Sequence, residues 1–201
     1  MKARRVKGVD PHGAMADGLE KVVRVRADEL FALAATARDP AEVRAAHDLR
    51  IAAKRLRYAL EIAAEPCFGP YATTAIKRCR ELQDLLGELH DCDVALPRVR
   101  ELQAELRTAD ALEARARAGD AEDLGAVHAS GTPHAQEWRG LEALRIYYQA
   151  RRGLLFERFL DAWRELERDG FRARLDYALR ERPAFTSPSR DAHAGTRESR
   201  S

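Results

Sequence analysis

The 201-residue chain predicts an all-α fold, a compact bundle of about five to six helices with a long C-terminal helix. Apolar residues recur at helical spacing through several long windows. No window alternates with period two for long enough to make a strand. Charged residues reach 34% while glycine and proline number only 12 and 8, a composition suited to long amphipathic helices.

The first helix spans about 14–37, where Leu19, Val22, Val23, Arg26 and Leu30 give the repeat, and Asp39-Pro40 stops it. The second runs from about Pro40, tolerated in a first turn, to Glu65; Pro66 and Phe68-Gly69-Pro70 end it. A third covers about 71–90, with Leu82, Leu85, Leu86 and Leu89 on its apolar face. Asp91 or Asp93 is placed to cap a fourth, about 94–117, with Pro97 near its start. Residues 118–135, with Gly119, Gly125, Ser130, Gly131 and Pro133, read as a flexible loop. A long helix follows over about 136–168, with Trp138, Leu141, Leu144, Tyr148, Leu155, Phe159, Trp163 and Leu166 near one face, then a short one to about Glu181. The organisation is a basic arm over 1–13, a helical domain over 14–181, and a Ser/Arg/Pro-rich tail over 182–201 that reads as disordered.

Net charge is only +2, which excludes a uniformly basic protein. Basicity is instead local, in Lys2, Arg4, Arg5 and Lys7 and again around 47–80, and this points to a localised anionic ligand. Cys67, Cys79 and Cys92 match no zinc spacing and read as reduced thiols of a cytoplasmic protein. No apolar run approaches a membrane span, and no apolar stretch follows the basic start as a secretory signal requires.

The segment His47-Asp-Leu-Arg50-Ile-Ala-Ala-Lys54-Arg55-Leu-Arg57 carries the sharpest signal. At about 100° per residue, His47, Arg50, Lys54 and Arg57 share an arc of roughly 80°. One apolar stripe (Leu49, Ala52, Leu56, Ala59, Leu60, Ala63) borders it, and a second (Ile51, Tyr58, Ile62) lies on its other side. Cations between two apolar stripes predict a groove, and unpaired cations near an interior call for an anion. Arginine forks, a lysine point charge and a switchable histidine suit phosphate. Only Tyr58 borders the arc as a stacking platform, which favours phosphate alone over nucleic acid. Glu81, Asp84 and Glu88 of the third helix are expected either to pair with the second helix's arginines or to leave Lys77 and Arg80 facing the ligand.

Two His-Asp dipeptides, His47-Asp48 and His90-Asp91, superficially resemble those of HD-type metal-dependent phosphohydrolases. Adjacent residues diverge by about 100° on a helix, and a hydrolytic metal site wants converging carboxylates rather than cations. No metal, cofactor or nucleophile pairing is therefore expected.

The segment 47–58, followed by Leu82-Gln-Asp-Leu-Leu-Gly87-Glu-Leu-His90-Asp91-Cys-Asp93-Val94, resembles the CHAD family of α-helical domains. The resemblance implies a helical bundle that binds inorganic polyphosphate through a basic groove without catalysis, in the cytoplasm and at polyphosphate granules. It carries the family histidine to His47, the basic positions to Arg50, Lys54, Arg55 and Arg57, and a third-helix position to Arg80; Lys77 is added from the helical arc. His90 is a further candidate. Family members often hold the motif twice. Here Leu144-Arg145-Ile146 through Arg151-Arg152 only echoes it, so a second wall is expected either from Arg145 and Arg152 in a monomer or from a partner in a homodimer.

Overall fold

The computed structural model describes residues 2–64, 69–120 and 131–181. Among these, five helices and no strand occur: α1 (Met15–Ala37), α2 (Val43–Ala63), α3 (Tyr71–Ala118), α4 (Ala135–Arg168) and α5 (Phe171–Arg180). The all-α prediction is thus shown. The expected tail and most of the expected loop fall outside the described residues, as does Cys67.

Helix α2 starts three residues later than expected because Asp39 organises a turn around Pro40. Its carboxylate accepts the Ala41 amide at 2.9 Å and its carbonyl accepts the Glu42 amide at 3.0 Å. The larger difference concerns the third and fourth helices, which form one continuous helix of 48 residues. Asp91 and Asp93 lie inside it and cap nothing, and Pro97 is an interior residue. The reason is tertiary. Leu82, Leu86, Leu89, Cys92, Leu96 and Val99 make one buried stripe across Pro97. Packing along that stripe outweighs the roughly 3 kcal/mol cost of an interior proline.

The helices pack in chain order, α1 on α2, α2 on α3 and α3 on α4, with α5 closing one end. Leu30, Leu49, Leu56, Leu60, Leu86, Phe159 and Trp163 are fully buried. Phe31 meets Trp163 edge-on at 5.4 Å between ring centroids. The short connection into α5 turns at Gly170, whose φ of 65° favours glycine. Among the described residues, the main hydrophobic cluster takes nothing from α3 beyond Cys92 and nothing from α4 before Tyr148, while Leu96 and Val99 are buried outside it. Past the bundle the two long helices therefore continue as a hairpin arm.

Polar contacts hold that arm. Gln103 donates to Glu142 at 3.2 Å, Arg107 lies over the Trp138 ring at 4.6 Å, and His134 Nδ1 meets the Asp110 carboxylate at 2.6 Å near the tip. The hydrogen bond with His134 lowers the Asp110 pKa from its ordinary value, and the same bond raises that of His134. The raised histidine contributes closure below its ordinary value of 6.5 and loses it as pH rises through the folded value. The lowered aspartate contributes above its ordinary 3.8 and loses it as pH falls through the folded value. Hydrogen exchange of amides near 110 and 134 is expected to be slowest between these limits. Protection that keeps rising into alkaline pH, after correction for intrinsic rates, would contradict this assignment.

The basic arm is strapped to α1 by its backbone. The Arg4 amide donates to the carboxylate of Glu29, which Arg26 also binds, and Arg26 Nη2 donates to the Arg4 carbonyl at 2.6 Å. Glu29 is buried, whereas the side chains of Lys2, Arg4, Arg5 and Lys7 stay exposed. Cys79 and Cys92 are buried free thiols, and burial pushes Cys79 up to about 12, so neither offers a nucleophile. No helix among the described residues is long and apolar enough to cross a membrane.

Candidate anion-binding site

Steps of three and four residues place His47, Arg50 and Lys54 on one face of α2, beside the stripe of Leu49, Ala52, Leu56 and Leu60 that anchors the helix in the core. Across from them, α3 presents Gly87 and, one turn later, His90. A Cβ at Gly87 would stand 3.6 Å from Arg50 Nε, so the guanidinium rests over α3 where the side chain is smallest. The His47 and His90 rings are 4.5 Å apart between centroids and tilted by 45°. The structure thus joins the histidine of each motif, 43 positions apart in the sequence.

His47 Nδ1 and Arg50 Nε are buried without a hydrogen-bond partner among the described residues. Asp48, beside His47 on the same helix, is itself engaged; Lys54 Nζ lies 5.7 Å from the centre of the Tyr58 ring. Burial lowers the His47 pKa, with His90 and then Arg50 adding to the shift against the opposing pull of Asp48. A buried donor left unmade costs about 1–3 kcal/mol. Its recurrence on one cationic face is what an oxyanion would satisfy.

The other predicted cations are placed differently. Arg57 Nε donates to Gln83 at 3.0 Å and its Nη1 to Glu61 at 2.8 Å, while Arg80 approaches the same Glu61 at 3.6 Å. Arg55 is half-buried and turned about 100° from Lys54 around α2, towards the side of Asp48. Lys77 is 77% exposed and 3.8 Å from Glu81. Arg145 is held by Glu142 and Gln149, and Arg152 by Asp93 at 2.5 Å and the Pro40 carbonyl at 2.8 Å. Both of these arginines of α4 are thus already held by partners in the structure.

Two details of the sequence reading change. The expected second apolar stripe is not buried: Tyr58 is 45% and Ile62 65% exposed, so the cationic face is open on that side rather than enclosed. Two of the α3 acids are held away from the arginines of α2, since Glu81 binds Arg78 and Lys77 while Glu88 binds Arg151 at 2.6 Å. Glu61, Gln83 and Gly87 were missed. Glu61 was readable as the i+4 partner of Arg57; the other two depend on inter-helix register, which no local pattern carries. No group of three or more His, Cys, Asp or Glu among the described residues is arranged to hold a metal ion.

Fold and site together define an all-helical module with a cationic face made by two adjacent helices. Residues 3–100 match the family model described as CHAD domain, so the resemblance is shown over α1, α2 and the first part of α3. That span includes His47, Arg50, Lys54 and His90, but neither arginine of α4. No curated protein and no solved structure matches the chain.

Proposed function

We propose that this protein binds inorganic polyphosphate without catalysis, along the face formed by His47, Arg50 and Lys54 of α2 and His90 of α3. One observation carries the reading. Two nitrogens of this cationic face, His47 Nδ1 and Arg50 Nε, are buried and unmet among the described residues. Arg57, Arg80, Arg55 and Lys77 flank this centre, the first two able to exchange their shared Glu61 for phosphate. The CHAD match over the same segment supports a polyphosphate ligand, and with it a place at polyphosphate granules in the cytoplasm. A lone bordering aromatic, Tyr58, favours phosphate over nucleic acid, because base recognition draws on stacking or on contacts to base edges.

The test is a titration with long-chain polyphosphate and with RNA of equal total charge, at 50 and 200 mM salt. Polyphosphate is expected to bind more tightly at both. By analogy with DNA, affinity for both is expected to fall as salt rises, in proportion to the number of phosphates contacted. Equal affinity for the two polymers would overturn the assignment, and phosphate release on adding Mn²⁺ or Mg²⁺ would establish hydrolysis instead.

A further inference from the structure

Helix α4 meets α3 along one side, where Gln103 donates to Glu142 and Asp93 pairs with Arg152. Its opposite side should be polar, as the water-facing side of a bundle helix ordinarily is. From residue 140 to residue 154 it is not. Gly140, Ala143, Tyr147, Ala150 and Leu154 are exposed there and recur at steps of three, four, three and four. Tyr147 is 52% and Leu154 49% exposed, and Leu144 and Ile146 stand exposed on the two flanks. The charges in this stretch lie off the stripe. Glu142 and Arg152 serve α3, Arg145 is bound to Glu142, and Arg151 at the edge is held by Glu88 and the Tyr147 hydroxyl.

Steps of three and four are the seam spacing of two helices wound together. We propose that this face joins two copies of the chain, with their α4 helices antiparallel about a twofold axis near Tyr148. The residues themselves select this partner and this direction. In an antiparallel pair, residues at equal distances on either side of the axis meet. Tyr147 then packs on the partner's Ala150, and Leu154 on the partner's Ala143, so each layer sets a large side chain against a small one.

Charge agrees with the same register. Beyond the two ends of the stripe, Glu137 comes to the partner's Arg158 and Arg139 to the partner's Glu157. All four side chains are exposed, and the twofold repeats each pair. Parallel helices would instead stack Arg139 on Arg139 and Glu157 on Glu157, while crowding Tyr147 against Tyr147. The apposed span from 137 to 158 is about 33 Å long at the helical rise. An isologous contact of this kind closes as a dimer and leaves no open surface for further growth. It uses none of the α2 cations and is independent of the polyphosphate reading.

Sedimentation velocity of the full chain in polyanion-free buffer, from about 1 to 100 μM, reads association without bridging by ligand. A concentration-dependent rise from one chain mass towards two is expected. Tyr147→Glu and Leu154→Glu should each abolish it while helical circular dichroism is kept. Arg139→Glu sets acid against acid at both ends and should weaken the dimer about tenfold, and adding Glu157→Arg should restore it. A monomer at every concentration overturns the proposal and leaves the stripe to a different protein. A dimer indifferent to Tyr147→Glu and Leu154→Glu overturns it by placing the contact on another face. Failure of Glu157→Arg to rescue Arg139→Glu overturns the antiparallel register.

Discussion

The double variant Arg50→Glu, Lys54→Glu is expected to lose polyphosphate binding by about 10²–10⁴-fold while keeping its helical circular dichroism. Each charged hydrogen bond removed is worth about 1.5–3 kcal/mol, and the reversal adds repulsion at the same positions. Two features make these residues dominant over the flanking cations. Arg50 lies against Gly87 of α3 with its Nε buried and unmet among the described residues, and the ammonium of Lys54 lies beside the Tyr58 ring. Arg57 and Arg80, by contrast, must first leave Glu61. Because a glutamate against α3 could loosen the bundle, the milder Arg50→Gln, Lys54→Gln variant serves as a second measurement, with about 10–100-fold expected. Unchanged affinity in both variants places the binding face elsewhere.

Glu29→Ala is expected to cost about 3–5 kcal/mol of stability, because it leaves the Arg26 guanidinium buried without its counter-charge and frees the Arg4 amide. For a chain of this size that corresponds to a fall of about 6–20 °C in Tm. The paired change Arg26→Met, Glu29→Leu removes both charges and should recover much of the loss, as buried ion pairs replaced by apolar side chains commonly do. Scanning calorimetry of the three proteins separates these outcomes. A single variant as stable as the parent would show that the pair does not hold the N-terminal strap.

How much of this was legible differs between elements for physical reasons. Helices α1 and α2 could be read nearly to their ends, since each has one buried stripe with helical spacing and a turn at Asp39-Pro40. The break placed near Asp91–Pro97 was wrong because capping and proline rules weigh local costs, while the stripe from Leu82 to Val99 is a tertiary gain collected on both sides of the proline. The cationic arc on α2 was legible for the same reason as the helix. Its enclosure was not, because the exposure of Tyr58 and Ile62 depends on which flank the neighbouring helices cover. The meeting of His47 with His90 lay beyond sequence reach. Each motif announces its own helix, but only the packing of α2 on α3 sets their relative height.

The position of Glu61 has a consequence for how long polymers behave. It takes up Arg57 and Arg80 at the end of the cationic face, leaving the stretch from His47 to Lys54, about 10 Å at the helical rise. A footprint that short covers only a few phosphoryl groups, so a long polyphosphate offers many interchangeable registers to one protein. Tightness per polymer molecule then grows with the number of registers, a statistical entropy, while the contact energy at any one register stays constant. A protein built this way can shift along its polymer in small hops and crowd many copies onto it, as a coat rather than as a clamp.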